Sequence, residues 1–375
     1  MLRIQVAFII FSLLFTDIIS ADQNEIKPLR AGTPAPDFYL QGIDGKIYSL
    51  ASFRDADILV IIFTANHCPT AQAYEERIIK LDKDYRPKSV RVVAVSSNNP
   101  EALRLDEMGY TDLGDSMAEM KIRAEERNFQ FPYLYDGDEQ QMARAYGAQS
   151  TPHVFILDGK RVIRFAGRID DNENPQKVTQ HDTRNAIEAL LSGKEVPVKE
   201  TKTFGCSIKW KYKKATVQEA NERWQAEPVD LNILELSDMA GLLKNDTNNL
   251  LLINFWATWC GPCVAEFPDL IDVFRMYRNR DFDLITISLD KPDMQKSVLK
   301  FLQKNHASSI NYQVNTDNAY AVIDAVGSGW SGAIPFTLLI KPGGEIIYKN
   351  TGMVDVLPLK KAIVGYLGRY YFKEK

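Results

Sequence analysis

Residues 255–268 read Phe-Trp-Ala-Thr-Trp-Cys-Gly-Pro-Cys-Val-Ala-Glu-Phe-Pro, and no other stretch of the 375-residue chain restricts its fold so strongly. The unbroken apolar run at 250–253 predicts a buried strand, and residues 266–280 are compatible with a helix. A Cys-x-x-Cys set between such a strand and helix marks a redox pair. A structural zinc site would need two further ligands at similar spacing, and the sequence has no second Cys-x-x-Cys and no histidine pair at metal spacing. No metal and no cofactor is expected. At a helix N-terminus, Cys260 faces unpaired N–H groups and the positive end of the helix dipole, which favour the thiolate near neutral pH. Cys260 is therefore the expected nucleophile. Cys263, one turn deeper, is placed to attack the mixed disulfide on Cys260 and release reduced substrate.

Trp-Cys-Gly-Pro-Cys after an apolar strand, with Pro268 five residues past the second cysteine, resembles thioredoxin. Two details resemble its extracytoplasmic relatives, the TlpA/ResA-type thiol-disulfide reductases. Asn254 stands where thioredoxin has a buried aspartate, and Glu266 matches the acid of their Cys-x-x-Cys-x-x-Glu-Phe-Pro signature. The resemblance implies that Glu266 assists proton transfer near the cysteines; a solvated acid in the first helical turn is the alternative. It also implies a reductant, because the intervening dipeptide is that of thioredoxin, whose potential is about −270 mV.

At the start of the chain, Arg3, the apolar run 4–15 and the small residues Ser20 and Ala21 read as a secretory signal peptide over residues 1–20. The run is short for a membrane span, with an uncleaved anchor as the alternative. An exported, periplasmic or extracytoplasmic protein follows from this reading. The balance of 45 basic and 49 acidic residues, net −4, argues against a nucleic-acid partner. Four cysteines are too few to staple an exported chain of this length, so they are read as chemistry.

The redox motif has a partial echo upstream. The apolar run 58–63 leads into Ala65-Asn66-His67-Cys68-Pro69-Thr70-Ala71 and a polar helix to about residue 85, so Cys68 matches Cys260 and Ala71 matches Cys263. Residues 90–96 and 284–289 are matching strands. Thr151-Pro152 and Ile334-Pro335 both precede an apolar strand. In thioredoxin-like folds the matching proline is cis and faces the reactive cysteine, so the resemblance implies this role for Pro152 and Pro335. Residues 31–210 resemble the redoxin superfamily, the peroxiredoxin-like AhpC/TSA group. They depart from it where that group carries a threonine three residues before the cysteine and a proline seven before it, since those places hold Ala65 and Ile61. Without that hydroxyl the O–O bond of a peroxide lacks a donor, which weighs against a peroxidase. Arg168 is a candidate cation for Cys68, a surface pair with nearby acids being the alternative. Cys68 beside His67 at a helix start is expected to have a depressed pKa. Cys206, in the tail after the helix at 181–191, is the remaining cysteine. A tail that folds back to pair Cys206 with Cys68 is one expectation, two unconnected thiols the other.

Residues 211–228 are read as a linker, with 215–225 helix-compatible, a strand pattern at 231–236, and the second domain over 229–375. The glycine-rich stretch 327–332 lacks the lysine and following helix of a phosphate loop and is read as the rim of the cysteine site. Trp259 and Trp330 are candidates for that rim or for the core. The expected fold is α/β, two thioredoxin-like domains in tandem, each a central mixed sheet flanked by helices. The expected function is an extracytoplasmic thiol-disulfide oxidoreductase that reduces protein disulfides through Cys260 and Cys263, relays electrons to a Cys68–Cys206 pair, and draws them from a membrane-embedded donor. The alternatives are a thiol peroxidase, with peroxide meeting Cys68, and a first domain that serves only to bind partners.

Overall fold

The computed structural model describes residues 26–327 and 329–372, so the expected signal peptide lies outside the described residues. The strands up to residue 207 are β1 (Leu40–Gly42), β2 (Ile47–Tyr48), β3 (Ile58–Thr64), β4 (Val90–Ser96), β5 (Tyr133–Tyr135), β6 (Ser150–Thr151), β7 (His153–Leu157), β8 (Ile163–Gly167) and β9 (Cys206–Ser207). All seven residues of β3 are buried, as an unbroken Ile/Leu/Val run requires of a central strand covered on both faces. It pairs parallel with β4 and antiparallel with β7, in a sheet ordered β2-β1-β5-β4-β3-β7-β8. The helix Pro69–Tyr85 makes the β3-to-β4 crossover. β6 and β9 form a separate antiparallel pair.

The second sheet repeats the plan. Its strands are β10 (Asn232–Leu234), β11 (Leu250–Trp256), β12 (Phe282–Ser288), β13 (Ile310–Val314), β14 (Phe336–Ile340) and β15 (Ile346–Thr351), ordered β10-β13-β12-β11-β14-β15. β11 is wholly buried, parallel to β12 and antiparallel to β14, with the helix Gly261–Tyr277 as crossover. β4-β3-β7-β8 and β12-β11-β14-β15 are thus the same arrangement twice, the fold of two thioredoxin-like domains. Residues Thr151-Pro152 and Ile334-Pro335, each just before the antiparallel neighbour, are joined by cis bonds.

Several local expectations shift. The helix expected at 266–280 starts five residues earlier, because Cys260 caps it and Pro262 fits its first turn, where no N–H is needed. The strand pattern at 231–236 divides into β10 and the helix Leu236–Lys244. Most of residues 211–228 form the helix Lys214–Gln225, whose Ala220 and Trp224 are buried, with Arg275 over the Trp224 ring. That segment is a packed element rather than a loose tether.

The domains meet along the end of the Gly261–Tyr277 helix remote from Cys260. Leu103 and Met108 of the first domain join the apolar cluster of Leu270, Phe274 and Met276. Tyr277 Oη donates to the Thr111 carbonyl at 2.7 Å, and Arg280 donates to the Gly109 carbonyl at 2.9 Å. Beyond the last helix, Val356–Leu367, Arg369 grips the buried Asp112 with both of its terminal nitrogens.

Candidate active sites

Cys260 and Cys263 are joined by a disulfide. Cys260 is the N-cap of its helix, and the Cys263 N–H donates to Cys260 Sγ at 3.3 Å. The loop before it is tied down by Asp290, which accepts from Thr258 N at 2.9 Å and Thr258 Oγ1 at 2.6 Å. Cys263 is buried completely and Cys260 nearly so, while Trp259 beside them is 70% exposed. Trp330, the other rim candidate, is instead core: it stacks on Phe336, packs on Phe255, and donates through Nε1 to the Ala333 carbonyl. The helix N-terminus favours the thiolate at Cys260, and Trp259 stands open beside it.

Glu266 is not a solvated acid. It is 2% exposed, with Oε1 accepting from Asn254 Nδ2 at 3.0 Å and Oε2 accepting from Val354 N at 2.8 Å. Burial raises its carboxyl above the usual range, and these two bonds pull it part of the way back. Asn254 Nδ2 also donates to Thr337 Oγ1 at 3.0 Å, and Asn254 Oδ1 has no partner. The buried acid beneath this cysteine pair thus comes from the helix, and the strand supplies an amide to hold it.

Cys68 likewise caps its helix, with Ala71 N donating to its sulfur at 3.4 Å, but it is completely buried. Cys206 lies against it. β9 pairs with β6 so that Cys206 faces Thr151, the residue before the cis-Pro152 bond. As a thiol, Cys68 donates to the Thr151 carbonyl at 3.3 Å; as a thiolate, it accepts from the Cys206 thiol. Burial alone would push the Cys68 thiol up, but the Cys206 hydrogen bond and the charge on His67 outweigh it and bring it down to about 6. The same hydrogen bond, with burial, pushes the Cys206 thiol well above its ordinary range.

His67 and Asp115 complete this site. Asp115 is fully buried and pairs with His67 Nδ1, while also accepting from Asn66 N at 2.7 Å and Asn98 Nδ2 at 2.9 Å. Burial disfavours the imidazolium most, yet the Asp115 charge, the Asp115 hydrogen bond and the Cys68 charge together outweigh it and raise the His67 pKa. His67 Nε2 is buried without a partner. Arg168 does not join the site: it pairs with Asp182 at 2.7 Å. Sequence reading passed over Asp115, which sits in a Gly/Asp/Ser-rich loop that looks like a solvated turn, and Tyr371, which hydrogen-bonds to Cys206 from the other domain. Only the run Tyr370-Tyr371-Phe372, unusually aromatic for a tail, hinted at the second.

The AhpC/TSA family pattern matches this chain twice, over residues 31–166 and 217–349. Thiol-disulfide oxidoreductase ResA of Oceanobacillus iheyensis is 32% identical over 121 residues, covering 32% of this chain and 55% of that protein. The Bacillus subtilis ResA is 27% identical over 119 residues, 32% of this chain and 58% of that protein. The chain thus spans a little over half the length of these curated relatives. A crystal structure of a hypothetical protein from Sinorhizobium meliloti 1021 is similar at 33% identity and a TM-score of 0.44, covering 49% of this chain and 96% of that one.

Proposed function

This chain belongs to the AhpC/TSA family over both of its halves, and from that premise we propose that it is a thiol-disulfide oxidoreductase acting on protein disulfides through Cys260 and Cys263. The observation that carries the reading is the cysteine pair itself, a disulfide capping a helix beside an exposed tryptophan. In the reducing direction, Cys260 thiolate attacks a substrate disulfide and expels one substrate thiolate. Cys263 then attacks the Cys260 sulfur, closes the pair and frees the second substrate thiol. Glu266, its carboxyl raised above the usual range by burial, is placed one turn past Cys263 to hold or take its proton. The signal-like segment at 1–20 supports an exported protein, and a reductant in an oxidising compartment needs electrons from a membrane-embedded donor.

Cys68 and Cys206 form a second pair in this proposal, its oxidant a disulfide rather than a peroxide. Ala65 stands where a peroxide-orienting hydroxyl is needed, and Arg168 is engaged with Asp182. Transfer from Cys260 to this pair within one docked molecule is disfavoured. The 17-residue helix Gly261–Tyr277, about 26 Å long, carries Cys260 at one end and meets Thr111 with the other. Exchange requires sulfurs in contact, so a relay runs between molecules or after the domains part. Trapping tests the reading: Cys263→Ser incubated with a disulfide-bonded protein accumulates a mixed disulfide on Cys260. A covalent adduct that forms equally in Cys260→Ser would sink it.

A further inference from the structure

The two cysteine pairs are built with opposite polarity. At Cys260–Cys263 the helix-capping residue keeps the little exposure the pair has, 6% beside the open Trp259, and its partner is completely buried. At Cys68–Cys206 the capping sulfur is completely buried, and the partner on the tail is partly exposed. The tail occupies the strand edge next to the cis-proline, where a thioredoxin-like site would receive a substrate strand. It is held there firmly. Gly205 has φ +125°, and a Cβ on it would stand 2.1 Å from the Thr151 carbonyl oxygen, an approach only glycine permits. Further on, Lys209 N donates to Asn98 Oδ1 at 2.8 Å and Asn99 N to the Lys209 carbonyl at 2.9 Å.

We propose that the first domain is a second exchange centre entered through Cys206, with Cys68 as the buried thiolate it releases and Asp115 and His67 as positioning residues for that charge. This rests on the reading that Cys68 and Cys206 cycle as a pair, and it does not depend on Cys260. The donor is a thiol or dithiol. Its thiolate attacks Cys206 Sγ of the oxidised pair, forms a new S–S bond there, and breaks the Cys206–Cys68 bond, so Cys68 departs with the electron pair. A second donor thiol then attacks the donor sulfur of the mixed disulfide and frees Cys206, which takes up the proton. Two donor thiols become one disulfide, and the Cys68–Cys206 disulfide becomes a thiolate and a thiol.

Access and charge both favour this direction. Only Cys206 is open to an incoming sulfur, and the lower-pKa thiol of a disulfide is the better leaving group. Around Cys68 the charged and titratable groups are His67 on the same turn, Cys206 on β9, Asp115 behind His67, and Lys209 farther along the tail. Tyr371, from the opposite domain, hydrogen-bonds to Cys206 and edges against Tyr110. His67, held by Asp115 through Nδ1 and with Nε2 buried and unpartnered, supplies the charge that favours the Cys68 thiolate as it leaves.

The test uses the full chain carrying Cys260→Ser and Cys263→Ser, oxidised with diamide and mapped by mass spectrometry for a Cys68–Cys206 disulfide. If none forms, the pair reading fails and the proposal with it. If it forms, a limiting amount of glutathione is added and quenched with acid. The expected adduct is on Cys206 with Cys68 free, whereas an adduct on Cys68 overturns the proposal while leaving the pair intact. For the positioning residues, His67→Asn and Asp115→Asn are read by the midpoint of ultraviolet thiolate absorbance and by the exchange rate. Losing the His67 charge shifts the Cys68 thiol up from about 6 toward its ordinary 9.0, and a leaving thiol of higher pKa departs more slowly, so each variant is expected to raise the midpoint and slow release. Unchanged midpoint and rate in a folded variant of either residue overturn the positioning role. If Asp115→Asn fails to fold, His67→Asn alone decides.

Discussion

Replacing Glu266 by glutamine and by alanine separates its structural role from its chemical one. Alanine removes the acceptor for both Val354 N and Asn254 Nδ2. A buried donor left unpaired costs about 1–3 kcal/mol, so with two donors Glu266→Ala should lose about 2–6 kcal/mol. Glutamine keeps a carbonyl for Val354 N. Its amide then meets Asn254, which turns over to present Oδ1, the atom now lacking a partner. Glu266→Gln should therefore change stability by no more than about 1 kcal/mol. The pH dependence carries a sign. Burial raises the folded-state pKa of Glu266 above 4.5, so its contribution is most favourable below that value and falls as pH rises through the raised one. Wild type should lose ground to Glu266→Gln across that window, with a constant difference above it. Urea unfolding of all three proteins from about pH 4 to about pH 8 measures this. Reduction of a protein disulfide should slow in Glu266→Gln by about 10²-fold, a typical proton-transfer contribution. A glutamine variant with wild-type turnover refutes the proton-transfer role, and one that loses as much stability as alanine refutes the hydrogen-bond reasoning.

Three other substitutions give sharp outcomes. Trp259→Ala, at a side chain 70% exposed, should shift stability by less than about 0.5 kcal/mol and raise KM for protein disulfides while leaving reduction by a small dithiol unchanged; equal loss for both substrates contradicts a docking role. Gly205→Ala drives a Cβ against the Thr151 carbonyl at φ +125°, should cost about 1–3 kcal/mol, and should lower the yield of the Cys68–Cys206 disulfide on oxidation; an unchanged yield means the tail does not depend on that approach. Asp112→Asn removes the charge that Arg369 grips and should cost about 1.5–3 kcal/mol, with faster amide exchange at residues 368–372; unaltered protection there means the domains are held together by other contacts.

Much of this protein was legible from local pattern. The apolar runs of β3, β4 and β11 and the Cys-x-x-Cys after β11 are short-range signals, and they located both sheets and the cysteine pair. Matching Cys68 to Cys260 worked because the same strand, loop and helix start recur in order. Local pattern could not supply what depends on distant segments. Asp115 meets His67 across 48 residues of sequence and sits in a loop without periodicity. Tyr371 reaches Cys206 from the other domain, and Trp330 becomes core only because Phe255 and Phe336 close around it. Arg168 shows the same limit, since its nearest acids in sequence lost to Asp182, 14 residues on. The polarity of the two cysteine pairs is likewise a matter of which sulfur the tail covers.

Disulfide exchange on protein substrates is expected to run through Cys260. Its most direct measurement is the rate of insulin reduction, with dithiothreitol as the recycling thiol, for wild type, Cys260→Ser and Cys68→Ser under identical conditions. Cys260→Ser should fall to the uncatalysed background while Cys68→Ser keeps most of the wild-type rate. The reverse pattern, an active Cys260→Ser and a dead Cys68→Ser, would contradict it and move the protein-reducing site to the first domain.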